Sequence, residues 1–127
     1  MKTHLILYVK DQQASTLFYS AALALPPTLF VPGMTEFSLG DQVVLGLMPI
    51  DGVRRLLGST IPDPALAAGI PRAELYLLTS DPDNCHRRAL AAGAHELSPM
   101  APRDWGHRAA YSLDPDGHVL AFAEVMK

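Results

Sequence analysis

Glu74-Leu-Tyr-Leu-Leu-Thr-Ser80 runs straight into Asp81-Pro82, and His4-Leu-Ile-Leu-Tyr-Val-Lys10 runs straight into Asp11. Both runs are dense in aliphatic, β-branched and aromatic residues, so each reads as a short strand. Each is followed by a residue that caps helices, because an Asp carboxylate accepts from the unpaired N–H groups of a first helical turn. His4 falls on Glu74 and Asp11 on Asp81 at one constant offset of 70 residues, with Tyr8 on Leu78. A strand–helix unit therefore occurs twice, and the fold turns on the residues that come after each copy.

After the first copy, Ala14, Leu17, Phe18, Ala21, Ala22 and Leu25 recur at three- and four-residue steps, one face of an amphipathic helix over 11–25 that Pro26-Pro27 stops. Three extended runs come next, at 29–31, 35–39 and 43–48, separated by the turn formers Pro32-Gly33 and Gly40-Asp41. After the second copy, a helix through Cys85, Arg88, Ala89 and Ala92 ends at Gly93, and extended runs follow at 95–98, 107–113 and 118–125. Both halves read βαβββ. Asp41-Gln-Val-Val-Leu-Gly-Leu47 also falls on Asp116-Gly-His-Val-Leu-Ala-Phe122, placing Gly46 over Ala121. The expected fold is α+β: a single domain over 1–127 with one module at 1–49, a Pro/Gly-punctuated linker at 50–71 and a second module at 72–127. Its curved mixed sheet forms an incompletely closed barrel with the helices outside and a cleft where the halves meet.

Composition agrees with one ordinary globular core: 127 residues, 49% hydrophobic and 18% charged. Ten Lys and Arg against thirteen Asp and Glu leave a net charge of -3, which excludes the broad basic field that nucleic acids and anionic membranes require. Apolar runs such as 5–9 and 43–48 are far shorter than the roughly 20 residues of a membrane span. The single cysteine, Cys85, has no partner for an internal disulfide and reads as an ordinary helix residue. With no secretory h-region at 1–10, the expected location is the cytoplasm and the expected partner a small molecule or another protein.

Strand alternation divides the first strand into His4, Ile6 and Tyr8 against Leu5, Leu7 and Val9, and its counterpart into Glu74, Tyr76 and Leu78 against Leu75, Leu77 and Thr79. The aliphatic faces suit helices, so the mixed faces are expected to line the cleft together with Val44, Gly46, Met48, Val119, Ala121 and Ala123. That lining is mainly apolar with a few polar tips, the surface a flat aromatic ligand fits. Trp105 either overlies the cleft mouth or covers the core edge. Arg108 pairs either with a ligand carboxylate or with Asp104, and Tyr111 adds aromatic area. The candidate ligand-binding residues are thus His4, Tyr8, Met48, Tyr76, Trp105, Arg108 and Tyr111, with Glu74 the candidate general base. His107 reads as solvated, His86 with Arg87 and Arg88 as an exposed basic helix patch, and His95 and His118 as exposed beside turns. No Ser/His/Asp or Cys/His order stands out, and the glycines form no phosphate cradle.

The duplicated βαβββ pattern, with Asp104-Trp-Gly-His-Arg108 and Asp114-Pro-Asp-Gly-His-Val-Leu120, resembles the vicinal oxygen chelate superfamily. That group includes glyoxalase I, extradiol dioxygenases, fosfomycin-resistance enzymes and bleomycin-resistance proteins. The resemblance implies a divalent metal held from four strand positions, which here are His4, Gly46, Glu74 and Ala121. Gly46 and Ala121 have nothing to ligate with, so the expectation is that no cofactor is resident and that their missing side chains leave a roomier cavity. His4 and Glu74 read either as half a metal site or as a hydrogen-bonded pair. The resemblance implies two alternative functions. One is a homodimeric binder similar to bleomycin-resistance proteins, which confers antibiotic resistance by sequestering a bulky planar compound. The other is a metal-assisted glyoxalase-like lyase or isomerase, or a dioxygenase, using His4 and Glu74; whether the chain is an enzyme stays open between them. Bleomycin is cationic, and the net charge of -3 gives a mild preference for a ligand of that sign.

Overall fold

A computed structural model describes all of residues 1–127. In chain order it contains β1 (Thr3–Val9), α1 (Gln12–Leu23), β2 (Leu29–Val31), β3 (Met34–Gly40), β4 (Val43–Pro49), α2 (Ile50–Leu57), β5 (Glu74–Leu78), α3 (Pro82–Ala91), β6 (His95–Pro102), β7 (His107–Leu113) and β8 (Val119–Val125). Two short 3-10 turns, Gly58–Thr60 and Pro64–Ala67, lie between α2 and β5. The architecture is α+β with two open four-stranded mixed sheets.

The starts of α1 and α3 are local chemistry. Asp11 Oδ1 accepts from the Ala14 N–H at 3.0 Å and Asp81 Oδ1 from the Asn84 N–H at 3.4 Å, with Pro82 pre-set at the first helical position. α3 closes on Gly93, whose φ of 114° lets its N–H reach the Leu90 carbonyl while the Ala94 N–H reaches Ala89. Those two bonds satisfy the last carbonyls of the helix in a Schellman arrangement.

The sheets have the same order, β1-β4-β3-β2 and β5-β8-β7-β6, each with one parallel pair, β1 with β4 and β5 with β8. Register repeats as well as order. His4 stands opposite Val44 and Ile6 opposite Gly46, just as Glu74 stands opposite Val119 and Tyr76 opposite Ala121. The duplication seen in the sequence is therefore carried down to individual cross-strand pairs, because a slip of one residue would turn every buried side chain to the wrong face.

Two compact units result, one of Met1–Ser20 with Ala24–Ala68, the other of Gly69–Lys127 with Ala21–Leu23. In the first, Leu7, Val9, Phe37, Leu45 and Leu47 are buried, and in the second Leu75, Ala89, Leu120 and Phe122. Apart from Ala89 of α3, these are the helix-side residues of the strand alternation, and burying a Phe or Leu fully contributes about 1.5–3 kcal/mol each. Phe37 and Phe122 consequently belong to the core.

Three expectations are corrected. The stretch at 50–71 is no bare linker, since it holds α2 and both 3-10 turns. Its signals were present in the sequence: Asp51 in the first turn, Arg54 and Arg55 in the last, and Gly58 beyond the end with φ 54°. Gly52 and the surrounding prolines masked them. His86 is not exposed but 6% accessible, with Nε2 2.8 Å from Glu96 Oε2, because α3 turns that side toward β6. His118 is likewise buried, with Nε2 3.3 Å from Arg72 Nη2.

The Asp114-Pro-Asp-Gly turn holds itself together. Asp114 Oδ1 accepts from the N–H groups of Asp116 and His118, both at 2.9 Å. Gly117 has φ 88°, and a Cβ there would stand 2.7 Å from the Gly69 backbone, so both conformation and space demand glycine. No helix is long and apolar enough to cross a membrane.

Candidate functional site

The C-terminal unit gathers aromatic and basic groups on one face of its sheet. Tyr76, Ala121 and Tyr111 form one cross-strand row over β5, β8 and β7, with the tyrosines flanking the alanine. Their ring centroids lie 6.5 Å apart. The next row holds Ala123 opposite Ala109, both buried, and the row beyond holds His107. Small side chains in the middle row let the Tyr76 phenol extend over it to His107. There its oxygen is 2.8 Å from Nδ1, and the two rings stack at 5.8 Å.

Trp105 reaches the same phenol from a tight loop. The Gly106 N–H closes on the Arg103 carbonyl and the Arg103 N–H on that of His107, with Gly106 at φ 83°, which makes a short glycine-dependent hairpin turn. Indole Nε1 donates to the Tyr76 oxygen at 3.0 Å, yet Trp105 stays 55% exposed. A hydrogen bond thus fixes the orientation of a large apolar surface that remains open to solvent.

Since Trp Nε1 only donates, the Tyr76 oxygen accepts from it. Burial pushes the Tyr111 phenol above its ordinary range, helped by the Glu74 carboxylate and Tyr76 and opposed by Arg103. The Arg103 guanidinium carbon stands 5.1 Å from the Tyr111 ring centroid.

The candidate residues divide between the two units. Glu74, Tyr76, Trp105, Arg108 and Tyr111 are in the C-terminal unit, and His4, Tyr8 and Met48 in the N-terminal one. Tyr76, Trp105 and Tyr111 come together, with Glu74 acting electrostatically on Tyr111. Arg108 does not join them, which corrects its expected pairing with a ligand or with Asp104. It alternates with His107 and Ala109 along β7, so it points to the other face, where Nη2 meets Asp83 of α3 at 2.6 Å and Glu124 of β8 at 2.7 Å. His107, expected to be solvated, is a member of the cluster. It and Arg103 are the residues that sequence reasoning missed; Asp104-Trp-Gly-His107 as a hairpin loop was the available signal.

In the N-terminal unit, Tyr8 and Met48 are cross-strand partners, and the tip of Met48 lies toward Gly52 of α2. His4 Nδ1 lies 3.5 Å from Glu36 Oε2, too long for a good hydrogen bond. Gly46 leaves no vacancy, contrary to expectation: a Cβ there would be 3.1 Å from Ile6 Cγ1 and 3.4 Å from Met34 Sδ. Ala121, the other vacated corner, is completely buried. Within either unit no three His, Cys, Asp or Glu side chains gather. A separate hollow of about 320 Å³ lies between α2 and the 3-10 turns, but its Arg54 already holds Asp51 and Asp63.

The sequence matches the family model described as the Glyoxalase/Bleomycin resistance protein/Dioxygenase superfamily over residues 3–122. Among solved structures, a glyoxalase/bleomycin resistance protein/dioxygenase from Nocardioides is 25% identical, with a TM-score of 0.79 covering 100% of this chain and 84% of that one. A family enzyme from Burkholderia phytofirmans is 16% identical, with a TM-score of 0.82 covering 97% of both chains. A protein from Agrobacterium tumefaciens, solved in solution, is 26% identical with a TM-score of 0.75, covering 100% of this chain and 98% of that one. No protein of curated function matches the chain by sequence.

Proposed function

Because the chain belongs to the glyoxalase/bleomycin resistance protein/dioxygenase superfamily, we propose that it binds and holds a planar aromatic small molecule, without a resident metal, on the Trp105–Tyr76–Tyr111 face of its C-terminal sheet. One observation carries this reading: an indole held by a hydrogen bond to a tyrosine that is itself fixed on His107, with more than half of the tryptophan surface exposed. Orienting an aromatic side chain before the ligand arrives lowers the entropy lost on binding, and stacking on its face adds about 0.5–1.5 kcal/mol beyond burial. The incomplete donor set at His4, Gly46, Glu74 and Ala121 supports holding a compound over metal-assisted turnover.

Trp105 is the single tryptophan, so its fluorescence reports on this face alone. Titration with a panel of planar antibiotics and aromatic acids is expected to quench it and to raise the melting temperature. At a ligand concentration a hundredfold over Kd the stabilisation is about 2.7 kcal/mol. Trp105→Ala should remove most of the gain, and Tyr76→Phe, which frees the indole from its acceptor, should weaken binding about three- to tenfold. No response to any compound, or a stoichiometric metal ion in purified protein whose loss follows His4→Ala, overturns the reading.

A further inference from the structure

Arg103 is a cation without a counter-ion. Its Nε donates to the Ala109 carbonyl at 3.2 Å, and its Nη2 to Ala109 at 2.8 Å and to Ser98 Oγ and the Pro99 carbonyl at 2.9 Å. A β-bulge between Ser98 and Ala101 takes Pro99 out of the ladder and supplies its carbonyl as an acceptor. Every acceptor is neutral, whereas Arg54 and Arg108 each hold two carboxylates. Asp104, the next residue, makes no ion pair with Arg103, and Nη1 makes no hydrogen bond. A half-buried guanidinium fixed over the Tyr111 ring therefore keeps both a full charge and a free donor.

We propose that the ligand of this face is an aromatic anion, its carboxylate held at Arg103 and its ring laid against Tyr111 and Trp105. The inference rests on the binding function proposed above and adds the sign of the ligand. That sign is opposite to the one suggested by the net charge of -3. Net charge governs distant approach and is screened beyond roughly 8–10 Å, while a fixed guanidinium acts at contact. Glu74 is the opposing group, its carboxylate acting on the Tyr111 phenol in the sense opposite to Arg103. His107 stands beside the same rings, its Nδ1 2.8 Å from the Tyr76 oxygen.

The test uses three probes with one ring system: 2-naphthoate, 2-naphthylmethanol and 2-naphthylmethylammonium. Each is titrated into the labelled full chain while the single indole N–H resonance is followed. Naphthoate is expected to bind about tenfold or more tighter than the alcohol, and the ammonium weakest. Arg103→Gln should abolish the preference for naphthoate while leaving alcohol affinity within about twofold. Glu74→Gln, at an exposed residue outside the Arg103 hydrogen bonds, should tighten naphthoate about two- to threefold. Equal binding of all three probes, or tighter binding of the ammonium, overturns the anion assignment and leaves the aromatic-binding function standing. An indole resonance that none of them moves overturns both. Equal losses for alcohol and carboxylate in Arg103→Gln reduce Arg103 to a structural peg, and if that variant does not fold, unchanged naphthoate affinity in Glu74→Gln overturns the assignment by itself.

Discussion

The row Ile6–Gly46–Glu36 in the first sheet and the row Tyr76–Ala121–Tyr111 in the second occupy the same places in the same register, yet they have become different surfaces. In the first, Ile6 and Met34 close over the glycine and His4 Nδ1 lies 3.5 Å from Glu36 Oε2, so the face is filled by short-range packing and one long polar contact. In the second, two tyrosines flank an alanine, and Trp105, His107 and Arg103 extend the row into a platform. Duplication conserves the backbone because hydrogen-bond register resists small changes. It leaves the outward faces free, since one substitution per row alters a surface without disturbing the ladder.

The largest expected effect breaks the second row directly. Ala121→Glu would restore a carboxylate at a position that is fully buried between Tyr76 and Tyr111. Loss of about 3–5 kcal/mol at neutral pH, read by chemical denaturation, is expected for an unpaired buried charge. A melting point equal to that of the parent would show the row to be open rather than filled. Gly46→Ala in the first row should cost only about 1 kcal/mol, because the crowding Ile6 is partly exposed and has room to give.

The turn before the last strand sharpens the same comparison. Gly117→Ala meets both a positive φ and the Gly69 backbone, and should cost about 2–3 kcal/mol. Its counterpart Gln42 is exposed, and Gln42→Ala should stay within about 0.5 kcal/mol. Equal losses at the two positions would mean that the two turns carry the same constraint.

The smallest effect concerns charge. Arg108 holds the Asp83 carboxyl below its ordinary value of 3.8, and Arg54 does the same for Asp63, chiefly through their hydrogen bonds. A lowered carboxyl contributes stability that is full above the unfolded value and lost as pH falls through the folded one. Asp83→Asn and Asp63→Asn should therefore each flatten the decline in melting temperature below about pH 4, and high salt should shrink both effects. An acid limb unchanged in Asp83→Asn would remove the Arg108 pair from the account of stability in this unit.

Helix caps, strand faces and the repeat were legible because each depends on residues close in sequence. Asp11 and Asp81 reach N–H groups three residues away, and alternation needs only a neighbour. α2 was equally local but was hidden by Gly52 and the flanking prolines. The site was legible only as residue types. Tyr76 and Trp105 were identifiable as aromatic candidates, while the bond between them joins residues 29 apart and the one to His107 spans 31. Arg108 and His107 are neighbours in sequence with opposite outcomes, one on the helix-covered face and one on the platform.

By itself the sequence determined a twice-used βαβββ plan, which comes directly from residue identity and spacing, and it set Gly46 and Ala121, residues without ligating side chains, at two positions that the family resemblance makes metal corners. Tertiary structure alone decided that one corner is filled by Ile6 and Met34, that Arg103 keeps its charge uncompensated, and that His107 rather than Arg108 meets Tyr76. Those outcomes depend on strand order and on which side chains cross between rows, and contacts over such separations leave no periodicity along the chain.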